Sequence, residues 1–196
     1  FKDLDKTIEI SYDFFIRTTD KKNHWPGVAK FWQKLEAAGD IYKAKYRGPY
    51  CVGCEAFYSV KELVDGKCPI HETEPEVLSE QNYFFRLSKY SKKIKKLIET
   101  NQLKIVPEKR KNEILSLLSD GVSDVSFSRP VKKLPWGIPV PGDPAQIIYV
   151  WGDALANYIT AIGFGRDEKK FKQWWPADLH VIGKDILKFH AVYWPA

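Results

Sequence analysis

Three cysteines and one histidine lie in two close pairs, and this spacing constrains the fold more than any other feature of the sequence. Two residues lie between Cys51 and Cys54, and two lie between Cys68 and His71. Thirteen residues separate the two pairs. Two such pairs direct four ligand atoms at one ion, and Cys3His is an ordinary ligand set for structural zinc. Four protein ligands leave no open position for a catalytic water. The sequence therefore predicts one zinc knuckle at residues 51–71 that stabilises the fold and performs no chemistry.

Three other kinds of site are compatible with cysteines and a histidine in a short segment. The first two are unrelated buried thiols beside a surface histidine and a redox Cys-x-x-Cys pair, and the doubled pair spacing argues against both. A DNA-reading finger is the third, and it lacks the closely spaced histidine pair that completes such a finger. We therefore expect no DNA partner.

Composition narrows the class of protein. The chain has 196 residues, of which 44% are hydrophobic, enough for one large domain or a domain with an insertion. No stretch approaches the roughly 18 consecutive apolar residues of a membrane helix, so we expect no membrane partner. Lys and Arg number 31 against 25 Asp and Glu, a mild excess compatible with nucleotide or nucleic-acid partners.

The odd cysteine count excludes complete internal disulfide pairing, so we expect a reducing, cytoplasmic setting. The chain contains no Met, even at position 1, and we expect a fragment of a longer protein.

The first part of the chain is predicted to form a strand, a helix and a second strand. From Ile8 to Phe14, apolar and polar residues alternate as in a strand with one buried face. Helical spacing follows at Val28, Phe31, Trp32 and Leu35. Gly39 stands in the usual position beyond a helix C-terminus, and residues 41–46 indicate another strand. This β–α–β order is typical of an α/β domain.

A change of character near residue 50 indicates an inserted module. Residues 50–85 combine the cysteine cluster with short apolar runs and a stretch rich in Pro and Glu. Two helices are predicted after it, over residues 88–100 and 108–118. Residues 86–111 hold ten Lys or Arg and only two acids. They form either a solvated helix face or an electrostatic track for a phosphate backbone.

The last third of the chain begins with a proline-rich stretch, residues 130–144, that is predicted to be an extended crossing segment. The apolar run at residues 147–151 then predicts a strand buried on both faces, as parallel strands are. A turn at Gly152 and Asp153 should end this strand, with Asp153 as the N-cap of the following helix.

A second strand, turn and helix are predicted at residues 179–182, at Gly183 and from Asp185. In an open α/β sheet, ligands bind beyond the carboxyl ends of the strands, where helix N-termini offer free N–H groups. Gly183 would allow a nucleotide to approach the backbone, and Asp185 would accept from a hydroxyl or amino group or act as a plain N-cap. Large aromatic residues flank both turns and form either core or pocket; they are Trp151, Tyr158, Phe189, His190 and Trp194.

Several strings of residues together resemble one known family. Residues 149–158, YVWGDALANY, are similar to a YVW-x-DA-x-x-x-Y element, and residues 180–196, HVIGKDILKFHAVYWPA, to an H-x-IGKDI-x-x-FH…WPA element. The cysteine–histidine pairs, NYFFR at residues 82–86 and SRP at residues 128–130 also fit, in the same order. These elements are those of the methionyl-tRNA synthetases, a family of class I aminoacyl-tRNA synthetases. The resemblance covers nearly the whole chain.

The resemblance implies an α/β fold, a partial Rossmann-like class I synthetase catalytic core that a connective-peptide insertion with one zinc knuckle interrupts. Residues 1–48 would belong to the first half of the catalytic domain. Residues 49–128 would form the insertion, and residues 129–196 would begin the second half, which holds the methionine and ATP pocket.

The resemblance also implies roles for individual residues. Asp185 would hold the amino group of methionine and, with Gly183, contact ATP, while Arg129 would lie near the reacting carboxylate and phosphate. The residues that would enclose the methionine side chain are Trp151, Ala154, Tyr158, Ile186, Phe189, His190 and Trp194. A thioether is only a weak acceptor, so shape, sulfur–aromatic contacts and donors such as Tyr158 and His190 would have to select it.

The implied activity is that of a methionine–tRNA ligase, which activates methionine with ATP and Mg²⁺ and transfers it to the acceptor end of tRNA(Met). The HIGH and KMSKS signatures of the family are absent, so we expect the chain to be inactive alone. Two alternatives stay open. One is a class I synthetase for another amino acid, and the other is a zinc-ribbon RNA-binding module that uses the basic helices.

Overall fold

The structure is a computed structural model that describes residues 7–54, 56–58, 60–132 and 134–196. Its helices are α1 (Trp25–Ala37), α2 (Leu87–Glu99), α3 (Glu108–Ser119), α4 (Val150–Ala161) and α5 (Glu168–Trp174). Its strands are β1 (Ile41–Cys51), β2 (Ala56–Phe57), β3 (Glu76–Phe85), β4 (Val125–Ser126), β5 (Ser128–Pro130), β6 (Pro139–Val140) and β7 (Asp143–Ile148). A 3-10 turn at Lys184–Ile186 and a π-helix at Phe189–Tyr193 lie near the C-terminus. The predicted mixed α/β class is confirmed.

Helix α1 forms where the apolar spacing predicts it. Pro26 stands in its first turn, where a missing N–H costs nothing, and Gly39 just beyond its end adopts a positive φ of 72°. Val28 and Trp32 are fully buried on the inner face of the helix. The predicted helices at residues 88–100 and 108–118 are also confirmed, as α2 and α3.

The larger sheet has the strand order β2-β1-β3-β4 and is antiparallel throughout. Strands β1 and β3 form a long ladder that runs from the pair Ile41 and Phe85 to the pair Tyr50 and Glu76. The strand predicted at residues 41–46 is therefore confirmed, and it continues to Cys51. As a result, the far end of this ladder holds the first predicted zinc ligand.

The smaller sheet has the order β5-β7-β6, and both of its pairings are antiparallel. The prediction of a parallel strand at residues 147–151 is therefore wrong: the strand ends at Ile148 and pairs with antiparallel neighbours. Ile147 and Ile148 of this strand are nevertheless buried, and Ile148 belongs to the main hydrophobic core. Pro130 and Pro139 lie in the edge strands β5 and β6, where a missing N–H is tolerated.

Two short strands predicted from apolar patterns are absent from the described residues. Residues 8–14 form no ladder there, and Ile8, Ile10, Tyr12 and Phe14 are all about half exposed. Residues 179–182 are irregular, with Leu179 at 76% and Val181 at 88% exposure. An alternating pattern gives the period of a strand, but a strand forms only where a neighbour satisfies its backbone N–H and C=O groups.

One core joins the two sheets and the helices. Trp32 stacks on Phe127 with ring centroids 6.0 Å apart and meets the edge of Tyr83 at 5.5 Å. Backbone bonds link the sheets, since the Phe127 N–H donates to the Tyr83 carbonyl at 2.7 Å. Helices α2 and α3 contribute Ile94, Ile98, Ile114 and Leu118 to this core. In the part of the chain that the structure describes, no helix is long and apolar enough to cross a membrane.

Candidate functional site

The four predicted zinc ligands converge at the far end of the β1–β3 ladder. His71 Nδ1 lies 3.1 Å from Cys54 Sγ, 3.7 Å from Cys51 Sγ and 3.9 Å from Cys68 Sγ, and the Cys54 and Cys68 sulfurs are 3.5 Å apart. All four ligand atoms lie within 4.8 Å of one another. Zinc bonds of about 2.0 to 2.3 Å give tetrahedral edges of about 3.3 to 3.8 Å. The four ligand atoms are therefore close enough together to surround one zinc ion.

The three thiols are free, and two of them differ in how readily they ionise. None of them forms a disulfide. Burial disfavours ionisation of Cys68, but the backbone N–H groups of His71 and Ile70 outweigh it and lower the pKa of this thiol to about 5. Burial instead raises the pKa of Cys54 to about 11, although the Tyr58 hydroxyl donates to its sulfur at 3.1 Å. Because zinc binds thiolates, Cys68 presents the binding form of its side chain before Cys54 does.

Two glycines shape the knuckle for different reasons. Gly66 has a positive φ of 77°, as a turn residue of this kind needs. Gly53 does not adopt a positive φ. The His71 ring instead packs against it, so that an added Cβ would lie 2.8 Å from the ring Cδ2 and Nε2 atoms. Gly53 is therefore required for close approach of a ligand side chain.

The predicted aromatic site is built on helix α4, which begins earlier than the sequence indicates. The helix starts at Val150 with Tyr149 as its N-cap residue, so the predicted turn at Gly152 and Asp153 is wrong, as is the N-cap role of Asp153. Gly152 therefore lies inside the helix. A glycine is needed there because Phe127 packs against this position: an added Cβ would lie 2.8 Å from the Phe127 ring. The early start brings Trp151, Ala154 and Tyr158 to one face of the helix.

Asp153 has a structural partner that the sequence did not reveal. His24, at the N-terminus of α1, is fully buried. Its Nε2 lies 2.5 Å from the Asp153 carboxylate and its Nδ1 lies 2.7 Å from the Thr160 hydroxyl. Both partners belong to α4, so this buried bridge fixes the helix that carries the aromatic site against α1. A lone histidine in a polar loop gives no signal of a contact 129 residues away.

We expect the variant His24→Ala to lower the free energy of unfolding of this chain by roughly 2 to 4 kcal/mol. The substitution leaves a cavity and removes a hydrogen-bond partner from both Asp153 and Thr160. Urea denaturation followed by tryptophan fluorescence measures the change. Lys22→Ala, at an exposed position of the same loop, is the matched control and should change stability by less than about 0.5 kcal/mol. Equal stability of both variants would contradict the role of the bridge.

The aromatic residues of the predicted pocket come together between α4 and the π-helix. The rings of Trp151 and Phe189 stack with centroids 3.7 Å apart at an interplanar angle of 8°. Tyr158 lies 5.6 Å from the His190 ring and 6.1 Å from Trp194. Phe31 of α1 extends the cluster by contacting Trp194 at 6.2 Å. Sequence reasoning assigned Phe31 only to the helix core, because a long-range contact leaves no trace in helical spacing.

A hydrogen bond of defined polarity links the two polar members of this cluster. His190 Nδ1 lies 2.9 Å from the Ile186 carbonyl oxygen, which can only accept, so Nδ1 carries a hydrogen. In the neutral ring, Nε2 then accepts from the Tyr158 hydroxyl, which lies 2.8 Å away. Burial raises the pKa of Tyr158, which keeps its hydroxyl protonated. His180 meets the Tyr158 ring edge to face at 4.6 Å and is a further member that the prediction omitted, although it opens the matching 180–196 string.

The two predicted ATP contacts lie at the surface beside this cluster. Gly183 and Asp185 are both exposed, and the predicted helix from Asp185 begins as a 3-10 turn with Gly183 at its N-cap. Asp185 lines a groove of 420 Å³ between this turn and α3. Three cationic side chains share the groove, those of Arg110, Lys184 and Lys188. Glu113 lines the groove as well as Asp185, so the groove is polar and carries charges of both signs, unlike the neighbouring aromatic cluster.

Arg129 is buried in β5, with 7% of its surface exposed. Its Nη1 donates to the carbonyl oxygens of Ser126 and Ser128 at 3.2 and 2.8 Å. Its guanidinium carbon lies 4.5 Å from the centroid of the Tyr149 ring. These contacts hold the guanidinium rigidly at the start of α4, whose N-cap residue is Tyr149.

Fold and site together define an α/β protein with a Cys3His cluster and a cluster of aromatic side chains, and comparison with known families agrees. The sequence model of the family described as "tRNA synthetases class I (M)" matches residues 1–74 and 53–196. These ranges together span the chain, so the chain belongs to this family of class I tRNA synthetases.

Individual relatives carry more specific names. The chain is 50% identical over 196 residues to the methionine–tRNA ligase of Caldanaerobacter subterraneus subsp. tengcongensis, covering 100% of this chain and 30% of that protein. It is 47% identical over 204 residues to the methionine–tRNA ligase of Streptomyces coelicolor, covering 100% of this chain and 37% of that protein. The chain thus spans about a third of the length of these relatives.

Solved structures show the same similarity. The crystal structure of Mycobacterium tuberculosis methionyl-tRNA synthetase bound by methionyl-adenylate superposes with a TM-score of 0.89 at 44% identity, over 99% of this chain and 39% of that one. The apo form of the same protein gives a TM-score of 0.86, over 99% of this chain and 40% of that one. The Rossmann-like class I synthetase fold predicted from the resemblance is confirmed in this sense.

Proposed function

We propose that this chain is the part of a methionine–tRNA ligase that selects methionine, within an enzyme that activates methionine with ATP and transfers it to tRNA(Met). The aromatic cluster around Trp151, Tyr158, Phe189 and His190 is the observation that supports this proposal most strongly. It is largely apolar and polarisable, with a few polar groups at Tyr158, His180 and His190, as recognition of a thioether requires. The names of the relatives and the adenylate bound by the M. tuberculosis protein agree with it.

In this proposal the methionine side chain lies among the aromatic residues and the amino acid head points to the 3-10 turn. The residues that enclose the side chain are Trp151, Ala154, Tyr158, Ile186, Phe189, His190 and Trp194. Asp185 holds the amino group, and its carboxylate is exposed and available for this. Gly183 and Asp185 contact ATP beside the polar groove. Arg129, held in place by Ser126, Ser128 and Tyr149, supplies positive charge near the reacting carboxylate and phosphate.

Formation of the adenylate joins a carboxylate oxygen of methionine to the α-phosphate of ATP and releases pyrophosphate. This step needs in-line positioning and charge stabilisation rather than a protein nucleophile. Mg²⁺ supplies further positive charge at the phosphates when ATP is bound. The residues of this chain contribute by selecting and orienting the amino acid.

The Cys3His centre would hold one structural zinc ion, with no role in the reaction, because four protein ligands complete its tetrahedron. We propose that residues 49–128 form the connective-peptide insertion, between a first catalytic segment at residues 1–48 and a second at residues 129–196. Three free thiols favour a reducing, cytoplasmic setting.

The acceptor end of tRNA(Met) is the proposed macromolecular partner. The basic segment 86–111 offers limited support, because several of its cations have local anionic partners. Arg110 contacts Glu113 at 2.6 Å, and Lys95 contacts Glu99 at 3.9 Å. Exposed ion pairs of this kind are ordinary features of a solvent-facing helix surface and do not by themselves indicate phosphate binding. The zinc-ribbon alternative would instead require strongly salt-dependent tRNA binding by this segment alone.

Pyrophosphate exchange tests the proposed function. We define a chimera in which this chain replaces the matching 196 residues of the Caldanaerobacter relative. Exchange between pyrophosphate and ATP is measured with each standard amino acid in turn, and we expect it with methionine alone. Exchange with another amino acid would keep the class of enzyme but overturn the assigned pocket. Absence of exchange, with the unmodified relative active, would overturn the proposal.

A further inference from the structure

We propose that Asn82 is a positioning residue, which holds the Arg129 guanidinium in place through the hydroxyl of Ser126. Asn82 lies in β3, within the proposed insertion, and Arg129 lies in β5, at the start of the proposed second catalytic segment. The inference rests on the proposed function, because it requires Arg129 to act on the reacting carboxylate and phosphate. It adds to that function a residue of the insertion that acts through Arg129.

The amide group of Asn82 is fully buried, and its nitrogen has two acceptors. Nδ2 donates to the Glu80 carboxylate at 3.1 Å and to the Ser126 hydroxyl oxygen, also at 3.1 Å. An ionised carboxylate can only accept, so the contact with Glu80 fixes which end of the amide faces these two partners. In the described residues, no donor lies within hydrogen-bond distance of Asn82 Oδ1.

This oxygen indicates why an amide occupies the position. A buried acceptor without a donor destabilises the folded state, and an apolar side chain of similar size has no such atom. The oxygen therefore gives no reason for an asparagine at this position. The amide is explained by the two acceptors that its nitrogen holds, Glu80 and Ser126.

Ser126 connects Asn82 to the guanidinium. Its hydroxyl oxygen accepts from Asn82 Nδ2 and, at 2.9 Å, from Arg129 Nη1. Its own hydrogen is directed to the Ser128 carbonyl oxygen, 3.5 Å away. A hydroxyl oxygen has two acceptor lone pairs, so these contacts use both of them and fix the rotation of the hydroxyl. Without the donor on Asn82, the hydroxyl can rotate and turn its hydrogen toward the guanidinium.

Strand β3 also holds the second serine that contacts Arg129. The Ser128 carbonyl accepts from Arg129 Nη1 at 2.8 Å. The Ser128 hydroxyl accepts from the Tyr83 N–H at 2.8 Å and donates to Gln146 at 2.7 Å. Two consecutive residues of β3 therefore hold the two serines to which Nη1 donates. Because a charge stabilises a transition state only where it is accurately placed, loosening either serine weakens the action of Arg129.

A kinetic double-mutant cycle in the chimera tests this link. Pyrophosphate exchange gives kcat and the KM values for methionine and ATP in Asn82→Ala, in Arg129→Met and in the double variant. Arg129→Met keeps the length of the side chain but removes the guanidinium. We expect Asn82→Ala to lower kcat roughly three- to tenfold and to change both KM values less than about twofold, because the placed charge acts on the transition state.

The second half of the cycle separates positioning from folding. Arg129→Met should lower kcat roughly 100-fold or more. In the Arg129→Met background, Asn82→Ala should have no further effect on kcat, because the link ends at the guanidinium. A residue that only supported the fold would lower kcat by the same factor in both backgrounds.

Two further variants complete the test. Ser126→Ala removes the half-buried hydroxyl that joins the two residues and should reproduce both results, so it carries the test if the buried Asn82→Ala variant does not fold. Gln81→Ala is the matched control, since Gln81 is the preceding residue of β3 and is exposed. Its kcat should stay within about twofold of that of the unmodified chimera.

The outcomes distinguish this inference from the function on which it rests. Unchanged kcat in Asn82→Ala and Ser126→Ala would overturn the inference alone, as would losses that persist at full size in the Arg129→Met background. Full activity of Arg129→Met would overturn the proposed role of Arg129 together with that of Asn82. Absence of methionine-dependent exchange by the unmodified chimera would overturn the proposed function and this inference with it.

Discussion

In the chimera, Trp151→Ala is expected to raise the KM for methionine by roughly 10- to 100-fold while the KM for ATP changes less than about threefold. The Trp151 ring stacks on Phe189 at 3.7 Å and forms one wall of the aromatic cluster, so its removal eliminates apolar contact with the substrate side chain. A loss of this size corresponds to about 1.4 to 2.7 kcal/mol of binding free energy. ATP is proposed to contact Gly183 and Asp185, which the substitution leaves in place.

Val150→Ala is the matched control for this variant. Val150 is the preceding residue of α4, is 39% exposed and loses a side chain of moderate size. Both KM values should stay near those of the unmodified chimera. Initial rates of pyrophosphate exchange, with methionine and ATP varied in turn, give the two constants. Comparable increases in both for Trp151→Ala would show that the substitution disturbs the whole site, and the pocket assignment would then be wrong.

Local signals explain which parts of the structure were predictable. The knuckle at Cys51, Cys54, Cys68 and His71 depends on short spacing within two turns, so the ligand set follows from sequence and the structure brings all four together. Helices α1, α2 and α3 follow from apolar spacing and C-terminal signals in the same way. For these elements, the signal that predicts the structure lies in residues close in sequence.

Long-range contacts explain the failures. The strand ends at Ile148 and the helix begins at Val150, and the residues on both sides of this boundary are apolar, so the sequence does not mark it. Packing of Phe127 against Gly152 helps to position the helix. The antiparallel partners of β7 lie in β5 and β6, which a single apolar run cannot specify. His24 was missed because its two partners belong to α4. Composition and periodicity contain no record of such pairings.

Removal of zinc from this chain is expected to unfold residues 51–75, which are the knuckle and the four residues after it, and to leave the remaining core folded. Between these positions Cys51 and Cys68 are buried, whereas Val52, Val60, Val64 and Ile70 are all more than half exposed. The knuckle therefore buries too little apolar surface to stay ordered without ligation, and metal binding supplies its folding free energy. The other end of β3 differs, because Tyr83 and Phe85 pack on Trp32, Phe127 and Tyr90.

Amide hydrogen exchange and tryptophan fluorescence, measured before and after chelation in reducing buffer, distinguish these regions. Residues 51–75 should lose protection completely, while emission should change little because all seven tryptophans lie outside this segment. The variant Cys68→Ser should not bind a stoichiometric zinc ion and should behave like the chelated protein. The control variant Ile70→Ala changes an exposed residue between two ligands and should retain one zinc ion per chain. Simultaneous loss of tryptophan packing and knuckle protection would mean that the metal stabilises the entire core. In the described residues, the ring of Trp32 contacts the rings of Tyr83 and Phe127, which both lie outside residues 51–75, so the structure favours the local outcome.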